Sequence, residues 1–165
     1  MDEINNLMPQ EGQKAILEEQ LELIFIDKLP PFPDNIKDVL AKIAPWGYMI
    51  YAFFGIIGLL ALFGFGIIGS AASVLGGEVG MGGMILITSI ISGISILLMI
   101  FSVPSLLKHG RTGWVLVYYG WLVGLINTIV TNTALYLSIG GLIGGIVFTG
   151  IVLYLHFQMR EKFIG

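Results

Sequence analysis

The chain has no cysteine, and only 12% of its residues are charged. The first absence excludes disulfides, thiolate metal sites and cysteine nucleophiles. The second leaves about half the charge of an ordinary soluble domain, which carries about 25%. Between Lys42 and Lys108 the only Asp, Glu, Lys or Arg is Glu78, and from Thr112 to Met159 there is none. Proton- and ion-coupled transporters keep a titratable side chain inside the membrane, and the apolar runs on either side of Glu78 and after Thr112 offer no Asp, Glu, Lys or Arg. No HExxH, GxSxG or phosphate-loop pattern occurs. His109 and His156 are too few for a metal site, which needs three or four ligands. The inventory predicts no enzyme, no cofactor and no metal. Residues 1–44 hold nine acids against four lysines, which argues against a nucleic-acid partner.

What is abundant is apolar. Hydrophobic residues make up 56% of the 165-residue chain, and the mean hydropathy is +0.90. A lipid core about 30 Å thick needs roughly 20 apolar residues per helix. Four such runs are visible, at about 46–69, 83–103, 113–131 and 134–157, with a glycine-rich outer loop at 70–82. All eight cations fall on one side of this arrangement. Lys14, Lys28, Lys37 and Lys42 precede the first run, Lys108 and Arg111 separate the second from the third, and Arg160 and Lys162 follow the fourth. Lys and Arg stay on the cytoplasmic side, so Lys108, Arg111, Arg160 and Lys162 read as topogenic. The sequence predicts an all-α integral membrane protein of the cell membrane. It is multi-pass with four transmembrane helices at 45–158, a short cytoplasmic tail at 159–165 and both termini in the cytoplasm. With no signal-peptide pattern in the first 44 residues, the first span reads as an uncleaved signal-anchor.

The cytoplasmic N-terminal segment, 1–44, reads in pieces. Residues 1–12 are polar and predict a disordered end. A helix is expected at about 13–28, with a stripe of Leu17, Leu21, Ile24 and Lys28, its acids Glu18, Glu19 and Glu22 favoured early by the helix dipole. The run Leu23–Ile26 is too apolar for free solution and is expected against lipid or the membrane domain. Pro30, Pro31 and Pro33 make a stiff linker. Asp34 caps a second amphipathic helix at 35–44, with Ile36, Val39, Leu40 and Ile43 on one face. That helix is expected in the interface, with Pro45 turning the chain into the bilayer. Trp46, Tyr48, Tyr51, Trp114, Tyr118, Tyr119, Tyr154 and Phe157 fall at the same level and read as an interfacial aromatic belt, and His156 reads as an interface residue beside them.

Two features inside the spans bear on function. Gly120/Gly124, Gly140/Gly144 and Gly141/Gly145 are GxxxG pairs, which let helix backbones approach closely. A tight turn at 131–133 is expected to hold spans three and four together, with Gly120 and Gly124 opposite the ridge of span four. The polar side chains Ser92, Ser95, Asn127 and Thr131 are the second feature. If they surround one water-filled cavity, they fit a small channel or carrier for a neutral or weakly charged solute. If each is bonded to a neighbouring helix, they fit a structural, accessory or assembly component of the membrane. The second function is the primary expectation, with the lipid bilayer, itself or other membrane proteins as partners.

Overall fold

The computed structural model describes residues 14–76 and 79–163. Among these residues there is no strand. A short helix α1 (Glu18–Glu22) runs into a π-helical turn at Leu23–Lys28. Four long helices follow: α2 (Asp34–Leu75), α3 (Val79–Leu107), α4 (Arg111–Val130) and α5 (Ile139–Gln158), and a 3-10 turn at Arg160–Phe163 comes after them. All four long helices are long and apolar enough to cross a membrane. They pack serially, with α3 against both α2 and α4, and α5 more lightly on α4.

Several boundaries differ from those the sequence predicts. The expected helix at 35–44 is not separate, because α2 runs unbroken from Asp34 through Pro45 to Leu75. Proline removes one backbone donor, but α2 keeps its helical path across that position. At about 1.5 Å per residue, a helix of 42 residues is roughly twice as long as a lipid core is thick. Ile36, Val39 and Ile43 are exposed along its first turns. The predicted loop at 70–82 is mostly helix too, since α2 reaches Leu75 and α3 begins at Val79. Glycine favours loops, but it does not prevent helix where each backbone N–H and C=O finds its partner within the helix. Glu78 and the predicted disordered end at 1–12 lie outside the described residues. The predicted helix at 13–28 shortens to α1 and its π turn, because Leu17 stands in the left-handed region at φ 61°. The expected turn at 131–133 is a π-helical continuation of α4 over Thr131–Leu135, so the connection to α5 falls at 136–138.

The α3–α4 corner shows how the chain reverses at the charged end. The His109 N–H donates to Leu106 O and the Gly110 N–H to Ser105 O. This is a Schellman closure, with His109 rather than glycine in the left-handed position at φ 55°. At the other end of α4, Ser138 caps α5 by accepting from the Gly141 N–H at 3.1 Å.

The core sits at the charged end of the bundle. Trp114, Tyr118, Phe157, Phe163, Met99 and Leu106 are fully enclosed there. The aromatic residues read as an interfacial belt therefore divide. Trp114, Tyr118 and Phe157 fill the interior, with Trp114 stacked near-parallel on Tyr118 and edge-on to Phe157, whereas Trp46 stays exposed. Toward the opposite end, α2 and α5 present open apolar faces, including Leu60, Ile68, Ile143 and Ile151.

Candidate functional site

Two constructions stand out: an ionic clamp at the charged end and a polar cleft between α2, α3 and α4. The clamp starts from Glu18, whose side chain is 0% exposed. Arg111, in the first turn of α4, donates through Nη2 to both carboxylate oxygens at 2.6 and 2.7 Å. Arg160, after α5, lies with Nε 2.9 Å from Oε1, but without the alignment of a hydrogen bond, so that contact is Coulombic. The Ala15 N–H donates to Oε2 at 2.6 Å. Arg160 also pairs with Glu22 at 2.5 Å, and Lys14 pairs with Glu22 at 3.0 Å. Tyr118 donates to Ile16 O at 2.7 Å, and the Ile16 N–H donates to the Tyr119 hydroxyl at 3.2 Å. The strap from Lys14 to Phe32 is thus tied to the ends of α4 and α5. Further along it, Gln158 Nε2 donates to Phe25 O and the Phe32 N–H donates to Gln158 Oε1. The first turns of α2 are tied as well, through Lys37–Glu161 at 2.8 Å and Lys162–Asp38 at 2.7 Å. Of the cations read as topogenic, Arg111, Arg160 and Lys162 are therefore part of the clamp, while Lys108 is exposed at the α3–α4 corner.

His156 corrects a second expectation. It is 0% exposed, stacked on Trp114 with ring centroids 4.6 Å apart. Its Nε2 lies 3.0 Å from Trp114 O. A carbonyl can only accept, so Nε2 carries the proton and Nδ1 accepts from the Tyr48 hydroxyl at 3.0 Å. The Trp114 Nε1–H returns a bond to His156 O at 3.0 Å. Every hydrogen-bonding atom of this imidazole is used in joining α2, α4 and α5. Among the described residues no group of three or more His, Cys, Asp and Glu could hold a metal ion.

The pH behaviour of the clamp follows from its members outside the spans. Burial opposes the charge on Glu22, but the cations Lys14 and Arg160 outweigh it and hold the carboxyl below its ordinary 4.5. The hydrogen bond from Lys162 to Asp38 holds that ammonium above its ordinary 10.5. Glu22 therefore contributes fully above 4.5 and less as pH falls through its lower folded value. Lys162 contributes fully below 10.5 and less as pH rises through its higher one. Hydrogen exchange of residues 14–28 is expected to stay slow at neutral pH and to quicken, after correction for intrinsic rates, as the pH is taken below 4.5. The Glu22→Gln variant is expected to show a smaller change over that acidic range. An identical acid response in the variant would assign the loosening to another group.

The cleft has a volume of ≈ 280 Å³ and is lined by side chains of α2, α3 and α4. Ser92, Ser95 and Asn127 line it, and Thr128 joins them in place of Thr131. The same side chains also bond across helices: Asn127 Nδ2 donates to Ser92 Oγ at 2.9 Å, and Ser95 Oγ donates to Gly120 O at 2.8 Å. The geometry combines the two arrangements expected from the sequence, a shared cavity and individual interhelical bonds. Asn127 Oδ1 and Thr131 Oγ1 are buried without a hydrogen-bond partner.

The glycines divide by neighbour. A Cβ on Gly120 would meet the Met99 side chain of α3, and one on Gly124 would meet only Ser95 Oγ at 3.6 Å. These two face α3, not α5 as the sequence suggests. Gly141 and Gly145 do face the end of α4, where a Cβ would press on Asn132 and on Thr128. Gly140 and Gly144 have nothing within 4 Å of that position. Sequence reasoning passed over Gly113, the tightest approach of α4 to the α3 backbone, where a Cβ would stand 2.5 Å from Leu106 N. In comparisons with known proteins the chain matches no family model, no curated protein and no solved structure.

Proposed function

We propose that this chain is a structural, accessory or assembly component of the cell membrane, with both termini in the cytoplasm and no catalytic role. The observation that carries this reading is how the polar side chains of the spans are used. Ser95, Asn127 and His156 each tie one helix to another, as expected for a body whose task is to hold a shape. The open apolar faces of α2 and α5, and the vacant space beside Gly140 and Gly144, supply surface for lipid, for a second copy or for other membrane proteins. Cross-linking in intact membranes, followed by purification in mild detergent, is expected to recover a recurrent membrane-protein partner or a homo-oligomer. A chain recovered only as a monomer, at every cross-linker length, would overturn this role.

The orientation is tested separately, and the native absence of cysteine makes the test clean. A cysteine at Leu137, which is 79% exposed, is expected to react with an impermeant maleimide outside intact cells. One at Lys108 is expected to react only after the membrane is opened. The reverse pattern would place the charged end outside. A second reading, a carrier for a neutral or weakly charged solute, is favoured by the ≈ 280 Å³ cleft. Its test is solute-driven swelling of liposomes that contain the protein, with accelerated swelling supporting it.

A further inference from the structure

The cleft between α2, α3 and α4 has a property that close helix packing does not explain. Small residues in membrane helices ordinarily let backbones meet. At Gly55 a neighbour does take up the space, since a Cβ there would stand 3.0 Å from the Ile96 side chain. One turn later, at Gly58, nothing lies within 4 Å, and across the cleft Gly124 has only Ser95 Oγ at 3.6 Å. Both residues line the cleft. Their missing side chains leave room instead of contact.

The room is rimmed by hydroxyls and an amide. Ser92 and Asn127 are already bonded to each other, yet the pair is not saturated, because Asn127 Oδ1 has no partner. A buried acceptor left without a donor is unfavourable. That oxygen belongs to a side chain that lines the cleft, so a donor on a guest is the partner it lacks. Among the described residues no Asp, Glu, Lys or Arg lines the space, and an isolated charge buried without a partner is far more costly than a neutral polar group. The volume of ≈ 280 Å³ compares with about 30 Å³ per water in the liquid, so it accommodates several waters or one molecule of a few heavy atoms.

We propose that this cleft is a binding site for a small uncharged solute that both donates and accepts hydrogen bonds, of the polyol or urea type. The proposal concerns occupancy, and it holds whether or not the solute crosses the membrane.

The test uses the full chain in liposomes, with Gly124→Cys as its only thiol. The new side chain enters space that a Cβ already fits. The rate of its modification by methyl methanethiosulfonate is measured with and without glycerol, urea or choline chloride. Glycerol or urea is expected to slow the reaction saturably, about tenfold at ten times its own dissociation constant. Choline is expected to have no effect, and neither solute should slow a cysteine at Leu137, which controls for solvent effects. Adding Gly58→Leu, which fills the cleft without meeting any neighbour at Cβ, is expected to abolish the protection while elution and thermal unfolding stay as before. Three results would overturn the proposal: a Gly124→Cys thiol that never reacts, slowing that does not saturate, or protection by choline equal to that by glycerol and urea. If Gly58→Leu perturbs folding, the protection measured on Gly124→Cys alone decides the question.

Discussion

Replacing Glu18 by alanine is expected to destabilise the protein by about 3–5 kcal/mol, the range for removing one member of a buried ion pair and leaving the other uncompensated. The carboxylate is fully enclosed, but Arg160 and Arg111 keep 14% and 24% of their side chains exposed. Water screens part of the loss, so the effect is expected near the lower end. It is not expected to be spread over the molecule. Glu18 is the point where Ala15, Arg111 and Arg160 converge, so the strap from Lys14 to Phe32 should detach before the helices separate. Limited proteolysis in detergent is expected to cut the variant within 14–33 while α2 to α5 survive. Thermal unfolding is expected to shift downward. Exchanging Arg111 for methionine in the same chain should restore part of the loss, because it removes one of the stranded charges. Unaltered proteolysis and unfolding in Glu18→Ala would show that the strap is held without Glu18, by its ties to Tyr118, Tyr119, Tyr154, Gln158 and the Arg160–Glu22 pair.

The clamp could not be read from the sequence, for a physical reason. Glu18 and Arg111 are 93 residues apart, and neither carries any local mark of the other. Glu18 reads as an acid at a helix start, and Arg111 as a topogenic cation. Only the packing of α4 against α5 brings the two arginines to one carboxylate. His156 is a parallel case. Its neighbours along the chain, Phe157, Gln158 and Arg160, suggest an interface, whereas its ring partners Tyr48 and Trp114 come from other helices. The four apolar helices were legible, because the absence of charge over long runs is a local property that lipid imposes directly. Their ends were less so. Proline at 45 suggests a break, yet α2 runs through it, and glycines at 80–83 suggest a loop, yet α3 already begins at Val79. The cleft lies between these cases. Ser92, Ser95 and Asn127 stand out as polar residues in apolar runs, but that they share one space with Gly58 and Gly124 depends on how far α2 diverges from α3.

The second large effect is expected from a glycine that no sequence pattern marks. Gly113 opens the expected span at 113–131 and belongs to no GxxxG pair, yet it sits in the first turn of α4 where the α3 backbone crosses. A Cβ there would stand 2.5 Å from Leu106 N and 2.9 Å from Ser102 O. Both are backbone atoms held in α3, so neither can turn aside as a side chain would. Overpacking typically costs about 1–3 kcal/mol, occasionally more, and Gly113→Ala is expected at or above the top of that range. The separation should be felt first at Trp114, the next residue, which packs on His156 and Phe157. Near-ultraviolet circular dichroism of the aromatic core is therefore expected to weaken along with thermal stability. Gly145→Leu meets the γ-methyl of Thr128 instead, a side chain able to change rotamer, and its cost should be smaller. Gly144→Leu meets nothing and should leave the monomer as stable as before. The order Gly113→Ala, then Gly145→Leu, then Gly144→Leu separates three uses of one residue type: backbone contact, side-chain contact and open surface. If Gly144→Leu leaves the monomer intact but removes an oligomer, that open surface is where a second copy sits. If Gly113→Ala unfolds no more easily than Gly144→Leu, the close crossing of α3 and α4 is not what holds the charged end together.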